Sequence, residues 1–183
     1  DLGAKALIDE LHSALDPKAY RKAVALLAES EFIDIFGVEN SLTPAMDLFT
    51  KLGYLGLTCR LNTDAYLQQI GAGHLPHGAV AVAFSHSGSS ADTVKALRLA
   101  KSHGAKTIAI TNAIGAPLAS WADVTLLTGR DSHTIYGNAI FSRVADTALV
   151  DMLYMGVILS DYGRFSTALD ESGRMIRDRV FEN

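Results

Sequence analysis

Apolar positions at helical spacing open the chain. Leu7, Ile8, Leu11 and Leu15 recur on one helical face, and Asp16-Pro17 starts a second helix with proline at its first position. Val24, Leu26 and Leu27 give that helix its apolar side. Phe32-Ile33-Asp34-Ile35-Phe36-Gly37 is short, β-prone and ended by glycine, and reads as a first strand. From there two periods alternate. Leu42 to Tyr54 is helical, Leu57 to Leu61 a short strand, and Ala65 to Ile70 a weak helix. Ala79 to Phe84 is an unbroken apolar run, the mark of a strand buried on both faces. Ala91 to His103 is amphipathic, with Val94, Leu97 and Ala100 inward, Lys95, Arg98 and Lys101 outward, and Gly104 closing it. Lys106 to Thr111 is another buried strand, Ala116 to Trp121 a short helix, and Val124 to Thr128 a fifth strand. A long helix is predicted from about Ala139 to Ser160 and a last one from about Arg164 to Phe181.

Repeated alternation of strand and helix predicts an α/β fold in three layers, a doubly wound, five-stranded parallel sheet with helices on both faces. The expected organisation is one domain over residues 1–183: N-terminal helices over 1–31, an α/β core over 32–160 and a C-terminal helix over 161–183. Met152, Leu153, Met155, Val157, Ile158 and Leu159 make the long helix apolar nearly all round. Such a helix is buried in the core or against another subunit, so a homo-oligomer, dimer or tetramer, is expected. The start, Asp1-Leu2-Gly3, reads like the middle of a longer protein.

Composition narrows the function classes. With 49% hydrophobic and 20% charged residues, a packed core is expected and disorder is not. A net charge of −4 argues against this segment itself gripping nucleic acid. The single cysteine, Cys59, has no partner for an intramolecular disulfide, and a reducing cytoplasm is the simple setting. No apolar run reaches the roughly 20 residues of a membrane helix, so no membrane partner is expected.

Ligands of open α/β sheets bind beyond the carboxyl ends of the strands. Three such ends carry small polar residues: Gly37-Val38-Glu39-Asn40-Ser41, Ser85-His86-Ser87-Gly88-Ser89-Ser90 and Thr111-Asn112-Ala113-Ile114-Gly115. The second packs four serines and a glycine into six residues, between a buried strand and a strong helix. Glycine lets backbone approach a ligand, the helix start offers unpaired N–H groups, and serine hydroxyls add neutral donors. Together they make a phosphate cradle that needs no lysine. One serine capping the helix is ordinary, but four exceed what a cap requires. A nucleotide P-loop needs Gly-Lys-Ser/Thr, a dinucleotide loop three spaced glycines, and a hydrolase elbow glycines at 85 and 89; none is present. A flavodoxin-type flavin loop would follow the first strand, not the third. No cofactor is expected.

Phe84-Ser-His-Ser-Gly-Ser-Ser90 with Ala91-Asp-Thr-Val-Lys-Ala-Leu97, Gly104 to Thr111 and Pro117 to Asp123 resemble the signature loop, helix and following strand of the sugar isomerase (SIS) fold, over roughly residues 32 to 160. The resemblance implies a flavodoxin-like sheet that binds phosphosugars. Ser85, Ser87 and Ser90 would hold the phosphate, with Ser41 on the sugar side. The opening helices, and Phe141 to Leu153 after the fifth strand, are similar to the C-terminal effector domain of RpiR-type transcription regulators. That implies a DNA-binding domain upstream, a phosphorylated sugar as ligand, and DNA as a partner only through that other domain. Glu39 and Asn40 stand where such domains commonly have smaller residues.

Other candidates are sparser. His86 either meets the ligand or points to solvent. His74 and His77 lack a shared helix face because Pro76 intervenes, so no metal is expected. An isomerase needs a base to move a proton, and of the glutamates only Glu39 lies at a strand's carboxyl end. Asp131 and His133, after the fifth strand, are a second place for acid/base residues. No convincing catalytic set forms, which favours a ligand sensor over an aldose–ketose isomerase. Arg143 and Asp146, three apart on the long helix, are expected to pair as a surface or interface salt bridge rather than touch ligand.

Overall fold

The computed structural model describes residues 3–130 and 142–181. Two helices, α1 (Ala4–Ala14) and α2 (Pro17–Ala28), precede strand β1 (Ile33–Phe36). Then follow α3 (Leu42–Tyr54), β2 (Cys59–Arg60), α4 (Ala65–Ala72), β3 (Val80–Phe84), α5 (Ala91–Ser102), β4 (Lys106–Thr111), a 3-10 turn (Pro117–Trp121), β5 (Val124–Leu127), α6 (Val144–Ser160) and α7 (Tyr162–Met175). The strands form one parallel sheet in the order β2-β1-β3-β4-β5, the flavodoxin-like doubly wound order.

The sheet has two unlike faces, because side chains alternate along each strand. Ile33, Ile35, Val82, Phe84, Ile108 and Ile110 form the bulky face, covered by α2, α3 and α6. The opposite face carries Ala81, Ala83 and Ala109, and meets Ala96 and Ala100 of α5 and Ala72 of α4. Small residues on both sides let α5 lie close to the sheet. That closeness brings its first turn up beside the end of β3.

Three elements differ most from those the periodicity predicts. β2 shrinks to Cys59–Arg60, an edge strand with β1 as its one neighbour. The long helix begins at Val144, because the Ser142 hydroxyl accepts from the Val144 N–H at 3.2 Å and forms a turn ahead of it. Residues 139–141 lie outside the described segments. The last helix runs from Tyr162, capped by Asp161, and ends at Met175 rather than Phe181. Val180 and Phe181 are exposed, with no apolar surface to hold a further turn. On α6, Leu153, Val157 and Ile158 are buried, whereas Met155 and Leu159 are exposed.

Candidate functional site

β1 and β3 are neighbours from which the chain departs in opposite directions, and a cleft opens where their connections separate. It encloses about 240 Å³. Two loops and the start of α6 line it.

The first loop leaves β1 through Gly37, which the side chain of Gln68 on α4 clasps. The Gly37 N–H donates to Gln68 Oε1 at 3.1 Å, and Gln68 Nε2 donates to the carbonyls of Gly37 at 2.8 Å and Asn62 at 2.7 Å. Gln68 is 2% exposed, so the clasp is dry. It fixes the backbone from which Val38, Glu39, Asn40 and Ser41 face the cleft. Glu39 holds φ at +54°, a left-handed conformation that glutamate adopts only where its surroundings hold it. Ser41 is buried at the start of α3, yet its hydroxyl makes no capping bond.

The second loop leaves β3 through Ser85, whose N–H donates to the Ile110 carbonyl at 3.0 Å. Ser85, His86, Ser87 and Ser90 line the cleft. Gly88 is not among the residues lining it. Its φ of +64° turns the loop, and a Cβ there would meet the Ala116 Cβ at 2.4 Å. The glycine is needed for close packing on the segment after β4, to which its carbonyl is tied by the Leu118 N–H at 2.9 Å. Ser87 Oγ accepts from the Ser89 N–H at 3.1 Å, and its own proton stays available to donate. His86 anchors sideways: its carbonyl accepts from Asn112 N–H and Thr111 Oγ1, and its Nε2 lies 3.3 Å from Asn112 Nδ2.

Ser90 is the N-cap residue of α5 but makes no side-chain cap. By contrast α2, α4 and α7 are each capped by an aspartate: Asp16, Asp64 and Asp161. Helix capping therefore does not account for the serine cluster. The first N–H groups of α5 keep their donor capacity beside the cleft, with the positive end of the helix behind them.

Arg143 also lines the cleft, and sequence reasoning misplaced it. No ion pair closes between Arg143 and Asp146 among the described residues; Arg143 turns into the cleft, and Asp146 is 4% exposed inside the molecule. Burial pushes the Asp146 carboxyl up to about 6, and the Arg143 charge pulls it partly back. Burial likewise lowers the guanidinium of Arg143. A smaller cavity, about 30 Å³, lies behind His86 and is bordered by Glu10, Asn112, Thr128 and Asp146. Glu10 comes from α1, so nothing in its local sequence marks it. Asp131 and His133 lie outside the described residues. Burial pushes the Cys59 thiol up to about 12, so it packs as an inert side chain.

The fold and the cleft together define a doubly wound α/β domain with a hydroxyl- and amide-lined recess at its topological switch point. The chain belongs to the SIS domain family, which it matches over residues 26–156. It is 30% identical to an HTH-type transcriptional regulator, TTE0211, of Caldanaerobacter subterraneus subsp. tengcongensis, over 98% of this chain and 64% of that protein. Among solved structures, the Vibrio vulnificus NanR protein complexed with ManNAc-6P superposes with a TM-score of 0.90 at 24% identity, over 98% of this chain and 67% of that one. The sugar isomerase domain of an RpiR transcription factor from Sphaerobacter thermophilus gives 0.83 at 23% identity, over 93% of this chain and 94% of that one. The chain spans between 51% and 64% of the length of the first curated relatives it matches.

Proposed function

We propose that this chain is the phosphosugar-binding effector domain of an RpiR-type DNA-binding regulator of carbohydrate metabolism, working in the cytoplasm. The observation that carries the reading is the uncapped start of α5 beside Ser85, Ser87 and Ser90 in a cleft sized for a small phosphorylated ligand. The phosphate sits on those hydroxyls and N–H groups, and Ser41, Asn40 and Glu39 meet the sugar. Regulators named HTH-type among the relatives, and the chain's partial coverage of them, support a DNA-binding domain elsewhere in the parent protein. The chain works as one domain, and the exposed Met155 and Leu159 on α6 meet a second copy. The ligand favours one arrangement of the copies over another, which moves the attached DNA-binding domains.

A thermal-shift screen of the 183-residue chain against phosphosugars tests the binding half. A phosphate-dependent rise in Tm supports it, and a flat response to the whole panel refutes it. A second reading, an aldose–ketose phosphate isomerase, draws on Glu10, His86 and Asp146 around the smaller cavity. Turnover of fructose 6-phosphate by the purified chain would favour it.

A further inference from the structure

The serine loop explains how a phosphate is received, but it leaves Arg143 unused. Arg143 is the one Lys or Arg among the described residues lining the cleft. Its Nε and Nη1 are sealed from solvent, and neither has a hydrogen-bond acceptor among the described residues. A guanidinium stays charged at physiological pH, and a half-buried charge whose Nε and Nη1 meet no acceptor among the described residues is unfavourable. Asp146, one turn along α6, does not supply the acceptor. No ion pair closes between them, and Asp146 Oδ2 is itself sealed and unpartnered. Glu39, the carboxylate at the cleft's lip, is exposed and makes no ion pair with Arg143. Among the described residues no acidic side chain pairs with Arg143, and a ligand in the cleft is its candidate partner.

Position indicates which part of a ligand it meets. α5 packs on the alanine face of the sheet, while α6 packs on the bulky face. The cleft spans the strand ends between them. On the proposed reading a phosphate takes the start of α5, and Arg143, carried by the helix on the other face of the sheet, is assigned to another part of the same molecule. A sugar hydroxyl there would offer a lone pair but leave the charge unbalanced. A carboxylate or a second phosphate offers acceptors and balances it.

We infer that Arg143 receives a second acidic group, so that the ligand is a doubly anionic phosphosugar, a sugar-acid phosphate or a sugar bisphosphate, rather than the monophosphate of a neutral sugar. This rests on the phosphosugar reading above and narrows it.

Calorimetric titration of the 183-residue chain with 6-phosphogluconate, fructose 1,6-bisphosphate and glucose 6-phosphate tests it. At least one doubly anionic ligand should bind about tenfold or more tighter than glucose 6-phosphate. Arg143→Gln should weaken that ligand by roughly ten- to a hundredfold, the range for a lost hydrogen bond to a charged group, and change glucose 6-phosphate by less than about threefold. Arg143→Lys, which keeps the charge, should retain part of the preference. If Arg143→Gln does not fold, the wild-type ranking decides. Glucose 6-phosphate binding as tightly as both doubly anionic ligands overturns this inference alone. No binding of any of the three overturns the phosphosugar reading and this inference with it.

Discussion

Asp34 and Arg60 stand opposite each other in register on β1 and β2, and they close a two-bonded ion pair beneath α4. Arg60 Nη2 donates to Asp34 Oδ2 at 2.6 Å and Nε to Oδ1 at 3.1 Å. Phe32 stacks on the guanidinium at 5.2 Å, and Gly71 leaves room for it. Asp34 is 1% exposed, and burial pushes its carboxyl above the usual range although Arg60 pulls the other way. Such a pair adds little over apolar packing, but removing one partner strands a charge. Arg60→Met is expected to cost about 3–5 kcal/mol near pH 8. The loss should shrink toward pH 5, where Asp34 can take a proton instead. Urea unfolding at the two pH values checks this, and an equal loss at both would contradict it.

Ser87→Ala removes one hydroxyl from the proposed phosphate site. Phosphosugar affinity should fall roughly tenfold, the lower end for a hydrogen bond to a charged group. The hydroxyl also accepts the Ser89 N–H, so a small stability loss, under about 1 kcal/mol, should accompany it. Titration and melting of the same preparation separate the two effects. An unchanged titration curve argues against the serine loop as the phosphate receptor.

Asp146 makes stability depend on pH in an unusual direction. Its carboxyl is raised by burial from 3.8 to about 6. A carboxyl raised on folding stabilises the fold while protonated, fully so below about pH 4. That contribution is lost as pH rises through 6, a swing of up to about 3 kcal/mol at 1.4 kcal/mol per pKa unit. Asp146→Asn should therefore gain stability relative to wild type as pH goes from 5 to 7.5. The difference between the two chains, measured by melting across that range, isolates this group from the other carboxylates. A difference that stays constant would contradict the assignment.

Gln68→Met should open the clasp on Gly37. Three hydrogen bonds are lost, and the Gly37 and Asn62 groups are left to find other partners, at a cost of about 2–3 kcal/mol. Because Gly37 leads into the residues lining the cleft, affinity for a phosphosugar should also fall. Slower-exchanging amides over residues 37–41 in wild type than in the variant would report the loosened loop. Equal exchange would show that the loop holds itself.

Legibility in the sequence followed the range of the forces involved. β3 and β4 were readable because a strand buried on both faces must be apolar throughout, and α3 because its period runs without interruption from Leu42 to Tyr54. The serine loop was readable because its composition exceeds what a cap requires. Helix ends were not, where a single hydroxyl such as Ser142 or a missing packing partner near Phe181 sets them. Gln68, Glu10 and Arg143 reach the site region from α4, α1 and the start of α6. No local pattern encodes that convergence. Asp34 was the least visible, an acid inside an apolar strand whose partner lies 26 residues on.

The chain spends an aspartate on the starts of α2, α4 and α7 and leaves the start of α5, at Ser90, without a side-chain cap. On the proposed reading, an incoming anion is the missing piece of that helix. Occupancy then registers as the stiffening of a helix end rather than as travel of the sheet. A sensor built this way signals through how firmly its own backbone is fastened, and its empty state is by construction the looser one.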